Sequence, residues 1–343
     1  MSCHKRLFQS IGGVTFFDQL KAPMRIKNFL LWLFLSLFGA CVWAQPYPSR
    51  QVKIIQPLGV GSPGDLISRA IAQSLTQTFG QPFVVENKVG ANGIIGMEAC
   101  AKAPPDGYTF CIPSFSQVTM NPLLYAKLPY DPLKDLAPVI NIGVINSAVV
   151  VNVSVPVNSL QELMELAKSK PGQLNWGSWG LGSFPHLYLS VLQHESGASF
   201  THVPFKSIDQ VVTSLLAGDV QVTLNTPGLM QPFVKAGKVK VLAIVGKRRS
   251  PLLDAPTLKE AGFPPPILSW VGMTAPAGTP KEIIARINSE VGKLLIDPKF
   301  IDRVLTPVSV DPTGGTPEDF GEFMRTDREN AAKVARVANL KME

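Results

Sequence analysis

From residue 52 onward the chain alternates short apolar runs with amphipathic stretches. VKIIQP (52–57) has the length and boundaries of a strand. DLISRAIAQSLTQTF, which follows a Gly-rich turn, carries Leu66, Ile67, Ala70, Ile71 and Leu75 at helical spacing. PFVVEN (82–87) predicts the next strand, IIGMEACAKA the next helix and TFCIPS a third strand. The alternation continues through strand VINSAVVVNV, helix SLQELMELAKSK, strand LNWGS, a helix around HLYLSVLQHES, strand THVPF, helix IDQVVTSLLAG and strands VQVTLNT and VKVLAIVG. Helix PKEIIARINSEVGKLL and the helical segment EDFGEFMRTDRENAAKVARV come last. This order predicts an α/β protein with largely parallel sheets. VINIGVINSAVVVNV is longer than an ordinary strand and lacks a turn signal, as expected of a segment crossing between two lobes. ILSWVGMTAPAGTP (267–280) is the candidate return crossing, which assigns 45–145 with 272–343 to one lobe and 146–271 to the other.

The N-terminus has a different pattern. Residues Phe29 to Ala44 form one apolar run with Arg25 and Lys27 ahead of it and small residues, Val42 and Ala44, at its end. That is the plan of a cleaved secretory signal peptide over residues 1–44, with Met24 as the natural start. As a helix the run spans roughly 24 Å, short of the ~30 Å hydrocarbon core of a bilayer. Composition then reads differently. The 343 residues are 45% hydrophobic and 17% charged, with 30 prolines and 28 glycines, so a sizeable core and many tight turns are expected. The formal charge of +7 invites a nucleic-acid reading. Loss of residues 1–44 removes Lys5, Arg6, Lys21, Arg25 and Lys27 against Asp18, leaving +3 and no basic stripe with interleaved aromatics. Nucleic acid is thereby excluded, and the expected location is the periplasm. Cys100 and Cys111 remain after cleavage, equally compatible with a disulfide and with two buried thiols. Four histidines and this cysteine spacing give no metal pattern.

Two Gly/Ser turns carry the candidate chemistry. Gly59-Val60-Gly61-Ser62-Pro63-Gly64-Asp65 follows a strand and opens a helix, and Glu86 ends the second strand, as in a dinucleotide-binding fingerprint. Against an NAD-dependent oxidoreductase, Ser62, Pro63 and Asp65 read as N-cap, N1 and N3, so a carboxylate already occupies the turn that would cradle pyrophosphate. The second turn, Gly177-Ser178-Trp179-Gly180-Leu181-Gly182-Ser183, precedes His186. Paired strand-end turns of this kind border ligand crevices in open α/β sheets. A third glycine cluster, Gly90 to Gly93, either lines a cleft or only turns the chain. Neither Ser62 nor Ser178 lies in G-x-S-x-G, and His186, His194 and His202 lack an assignable third member, so no enzyme and no cofactor are expected.

YPSRQVKIIQPLGVGSPGD, VVENKVGANGIIG, AKAPPDGYTF, NPLLY, LAKSKPGQLNWGSWGLGSFPHL, THVPFKS, LLAGDVQV, APTLKEAGFP and WVGMTAPAGTPKEI, in this order, resemble the extracytoplasmic receptors of tripartite tricarboxylate transporters, the Bug proteins. The resemblance covers residues 47–343. It implies a two-lobed periplasmic binding protein of type II-like plan, each lobe a mostly parallel sheet flanked by helices, with the ligand between them. It further implies a monomer that captures a small carboxylate and delivers it to a membrane permease, or alternatively feeds a sensor. Carried over, the contacts are Gly61, Ser62 and Asp65 in the first lobe and Ser178, Gly180, Gly182, Ser183 and His186 in the second. Ser114, Asn121, Phe205, Asn225 and Thr226 are the expected cleft walls. The chain departs from the family where P-F-A-A-G-G becomes Pro57-Leu58-Gly59-Val60-Gly61-Ser62, and where H-V-P-Y-K-G becomes His202 to Ser207 with Phe205 for the phenol.

Overall fold

Two mixed sheets, each flanked by helices, organise the chain. The structure, a computed structural model, describes residues 47–263 and 267–337; the expected signal peptide and Met24 lie outside them. The first sheet has the order β11-β4-β10-β3-β1-β2 and the second β7-β6-β8-β5-β9. In chain order, β1 (Val52–Gln56), α1 (Pro63–Phe79), β2 (Phe83–Asn87), α2 (Ile94–Ala101), β3 (Thr109–Cys111), the short α3 (Asn121–Leu124) and β4 (Leu136–Ile145) build the first layer. The second layer holds β5 (Ser147–Asn152), α4 (Leu160–Ser169), β6 (Asn175–Ser178), α5 (Phe184–Ser196), β7 (Thr201–Pro204), α6 (Ile208–Ala217), β8 (Val222–Asn225), α7 (Pro227–Lys235) and β9 (Val239–Val245). The chain then returns through β10 (Ser269–Pro276), α8 (Lys281–Ile296), β11 (Val310–Gly314) and α9 (Pro317–Val337).

Helix α1 shows why the pattern folds this way. Ile67, Ile71 and Leu75 recur every fourth residue and are fully buried against the first sheet, while Ser62 caps the start and Gly80, in the left-handed region, ends it. Burying three such side chains contributes about 1.5–3 kcal/mol each.

The sheets are mixed rather than mostly parallel: β1–β2, β1–β3, β6–β7 and β6–β8 pair in parallel, but β4, β5 and β10 pair antiparallel to all their neighbours. The reason is connectivity. A strand that leaves a sheet and one that returns to it from the same side run in opposite directions, so β4 pairs antiparallel with β10, and β5 with β9.

The first crossing is abrupt, because only Asn146 separates β4 from β5. Its N–H donates to the Ser309 carbonyl (2.8 Å) and its side chain to Asp311 (2.9 Å). Arg248, just past β9, forks onto the same Asp311 carboxylate, at 2.6 and 3.3 Å. The return enters the first sheet at Ser269, so residues 269–271 pair with β4. A single apolar cluster also joins the layers, with Phe115, Val118 and Leu124 packed among Trp176, Phe184 and Leu187 and with Trp270, Phe320 and Met324. Cys100 of α2 and Cys111 of β3 form a disulfide with both residues fully buried.

Candidate ligand-binding cleft

A cavity of about 570 Å³ lies where the strand ends of the two sheets face each other. Its first-sheet wall is the β1–α1 turn from Pro57 to Gly64, the turn from Val89 to Gly93, and Ser114. Its second-sheet wall is Ser147, Trp179, the segment opening α6, and Asn225 with Thr226 at the start of α7. Among the described residues no group of three or more His, Cys, Asp or Glu could hold a metal ion, and no helix is long and apolar enough to cross a membrane.

The first turn is built around a carboxylate of its own. Gly61, at φ 81°, points its N–H at Asp65 Oδ2 (3.0 Å), Asn87 donates to Oδ1 (2.9 Å) and Arg69 Nε to Oδ2 (3.0 Å). Asp65 is 1% exposed and does not line the cavity. Burial acts to raise its pKa, but the hydrogen bonds from Arg69, Gly61 and Asn87 outweigh that and hold it below the ordinary value. Of two roles open to Asp65, capping its own helix or facing a ligand, the geometry supplies the first. The same contact occupies the Gly61 N–H that a pyrophosphate would need. Ser62 accepts from the Asp65 N–H (3.3 Å), which leaves its hydroxyl proton for the cavity it lines.

Ser114 lines the cavity and donates to Gln117 Oε1 (2.8 Å). Gln117 in turn donates to the Asn92 carbonyl (3.0 Å), and Asn92 to Asn121 Oδ1 (2.8 Å). Asn121 is therefore a fully buried prop behind Asn92, which sits at φ 51° in the wall itself.

The second Gly/Ser turn is closed on itself. Gly180 N–H donates to Ser178 Oγ (3.2 Å), Ser183 Oγ to the Gly180 carbonyl (2.6 Å) and Gly182 N–H to His186 Nδ1 (3.1 Å). Ser178 also meets His202 Nε2 at 2.7 Å, and the His202 ring stacks on His186 with centroids 4.3 Å apart. Burial, with His186 alongside, pushes the His202 pKa down to about 4, so the imidazole is neutral near pH 7. This Ser–His contact is no exposed nucleophile: Ser178 is fully buried and, among the described residues, no carboxylate orients His202. Ser178, Gly180, Gly182, Ser183, His186 and Phe205 are not among the residues lining this cavity. Gly182 instead abuts the opposite layer, where a Cβ would fall 2.5 Å from Leu124 and 3.6 Å from Asn92.

Asn225 and Thr226 do line it. Asn225 is 3% exposed, and its Oδ1 accepts from the Thr226 N–H (2.9 Å), while its buried Nδ2 has no hydrogen-bond partner among the described residues. Sequence reasoning did not single out Ser147, Ser269, Lys206, Ser207, or the faces of α6 and α7. The i, i+4, i+8 row Ile208, Val212, Leu216 was the available signal for α6. For α7, Pro227 and Pro232 within nine residues hid the helix altogether.

Two layers joined by chain crossings and facing each other across a ligand-sized cleft define a periplasmic binding-protein fold. The chain matches the tripartite tricarboxylate transporter family receptor over residues 67–340 and belongs to that family. It is similar to protein BugT of Bordetella pertussis, 31% identical over 320 residues that span 92% of this chain and 98% of the relative. Among solved structures it is similar to Rpa4515 of R. palustris with adipate, at 33% identity and TM-score 0.82 over 87% of this chain and all of that one. MatC from Rhodopseudomonas palustris with bound malate is similar at 28% identity and TM-score 0.77, over 84% and 99%.

Proposed function

We propose that this protein works in the periplasm as a monomer, taking a small carboxylate into the cleft between its two layers and handing it to the membrane permease of a tripartite transporter. The observation that carries this reading is the cavity, set between layers joined by the Asn146 crossing and a shared apolar cluster and edged by hydrogen-bonding side chains. Adipate and malate in the two solved relatives support a carboxylate as the cargo class. In this reading the lobes follow the sheets: residues 47–145 and 269–337 form one, where 269–271 pair with β4, and 146–263 the other.

In this reading Ser62, Ser114, Asn225 and Thr226 touch the ligand. Asp65 and Asn121 hold the first wall in shape, and the closed turn of Ser178, Gly180, Gly182 and Ser183, with His186 and Phe205, braces the second. A ligand shifts the hinge toward closure only through contacts it makes better in the closed form, which donors on both walls provide. The test is thermal unfolding in the presence of mono-, di- and tricarboxylates, acidic amino acids and NADH. A carboxylate at 100 times its Kd is expected to add ~2.7 kcal/mol of stability. A response to NADH alone, with every acid silent, overturns the reading in favour of a dinucleotide site.

A further inference from the structure

The walls of the cleft are unevenly equipped. On α6, Ile208, Val212 and Leu216 line the cavity at i, i+4 and i+8, and on α7 Leu229 and Phe233 do so at i and i+4. Each helix thus turns an apolar row to the cavity. The charged lining residues among those described are Lys206 and Asp209, one of each sign and both exposed, three residues apart around the start of α6, and no arginine is among them.

The polar end lies elsewhere. Thr226 is the N-cap of α7 with no side-chain capping bond, and Asn225 before it keeps a buried Nδ2 without a hydrogen-bond partner among the described residues. The β5–β8 register, Ala148 opposite Asn225, brings Ser147 alongside Thr226. A buried amide donor without a partner is costly unless something accepts from it. A carboxylate oxygen at a helix start is such an acceptor.

We infer that the cargo is a monocarboxylate with a bulky apolar body: its carboxylate is held by Asn225, Thr226 and Ser147, and its aliphatic chain or aromatic ring lies between α6 and α7. This rests on the carboxylate reading above and narrows it. A diacid of the same length would drive its second carboxylate against Leu216 or Phe233, stripped of water and with no cation to meet it. Lys206 does not remedy this, because it is exposed and precedes α6, more than two helical turns from Leu216.

The experiment is calorimetric titration of the full protein with pairs of equal length, hexanoate against adipate and octanoate against suberate, together with 3-phenylpropionate. The monoacid of each pair is expected to bind at least tenfold tighter. Leu229→Asp, at a position already 39% exposed and so tolerant of the change, is expected to weaken the monoacids tenfold or more, while Ile296→Asp, 79% exposed and not among the residues lining the cavity, leaves them within twofold. Diacids binding as tightly as their monoacid partners overturn the inference but leave the carboxylate reading standing. Silence from every acid in the panel overturns both. Monoacids that win but ignore Leu229→Asp overturn the placement between α6 and α7.

Discussion

Asp65 shows how a residue can sit in a ligand-binding motif and still serve its own backbone. Its carboxylate collects Gly61 N–H, Asn87 and Arg69 inside the first turn. Asp65→Ala removes the charged acceptor that Gly61, Asn87 and Arg69 share and should cost about 1–3 kcal/mol in all, since Asn87 keeps the Leu58 carbonyl and Gly61 is open to water. The expected outcome is a lower denaturant midpoint with ligand preference unchanged; a change of preferred acid with stability intact would falsify the capping role. This much was legible, because Ser-Pro-x-Asp after a strand is a helix-start pattern with a mechanism. The state of His202 was not, since its depression comes from burial and from His186, far off in sequence. Its sign is fixed. The unfolded imidazole titrates near ~6.5 and the folded one at about 4, so between those values the unfolded chain binds a proton that the folded chain refuses. Stability is therefore full above about pH 6.5 and declines as pH falls toward 4. Melting temperature measured across that window should drop in the wild type, and His202→Gln should flatten the slope.

Among the elements, α9 is tied down by one half-buried carboxylate. Asp327 Oδ2 accepts from Thr119 Oγ1 (2.6 Å) and from Trp270 Nε1 (2.8 Å), and both partners are fully buried. Asp327→Ala leaves a hydroxyl and an indole N–H without acceptors and should cost about 2–4 kcal/mol in urea unfolding, whereas Asp327→Asn keeps an oxygen in place and should cost less than half as much. Equal losses in the two variants would assign the effect to packing instead. The element order itself was readable from periodicity, as α1 and the Ile54-centred strand show. The strand directions were not. Hydrophobic runs say that β4 and β10 are buried, but their antiparallel pairing follows from where the chain goes after leaving the sheet, which no local pattern records. Helix α7 was hidden for a different reason: Pro227 is tolerated at its first turn and Pro232 breaks the usual expectation inside it. With α7 unread, half of the apolar wall and the Asn225 amide had no visible context.

At the scale of the whole molecule, one layer is made from a single stretch of chain and the other from two. Strands β5 to β9 run continuously from Ser147 to Val245, whereas β4 waits for β10 and β11, which arrive only after the entire second sheet. Closing that long loop carries an entropic cost that rises with its length, and contacts distant in sequence form late. The two layers should therefore assemble in sequence. On dilution from denaturant, pulse-labelled hydrogen exchange is expected to protect amides of Val149 and Leu224 before those of Ile140 and Met273. Simultaneous protection would mean that the shared cluster of Phe115, Phe184 and Trp270 forms first and nucleates both. The inserted layer thus acts as the loop whose prior folding brings the ends of β4 and β10 together, and a variant that slows its folding should delay the whole protein.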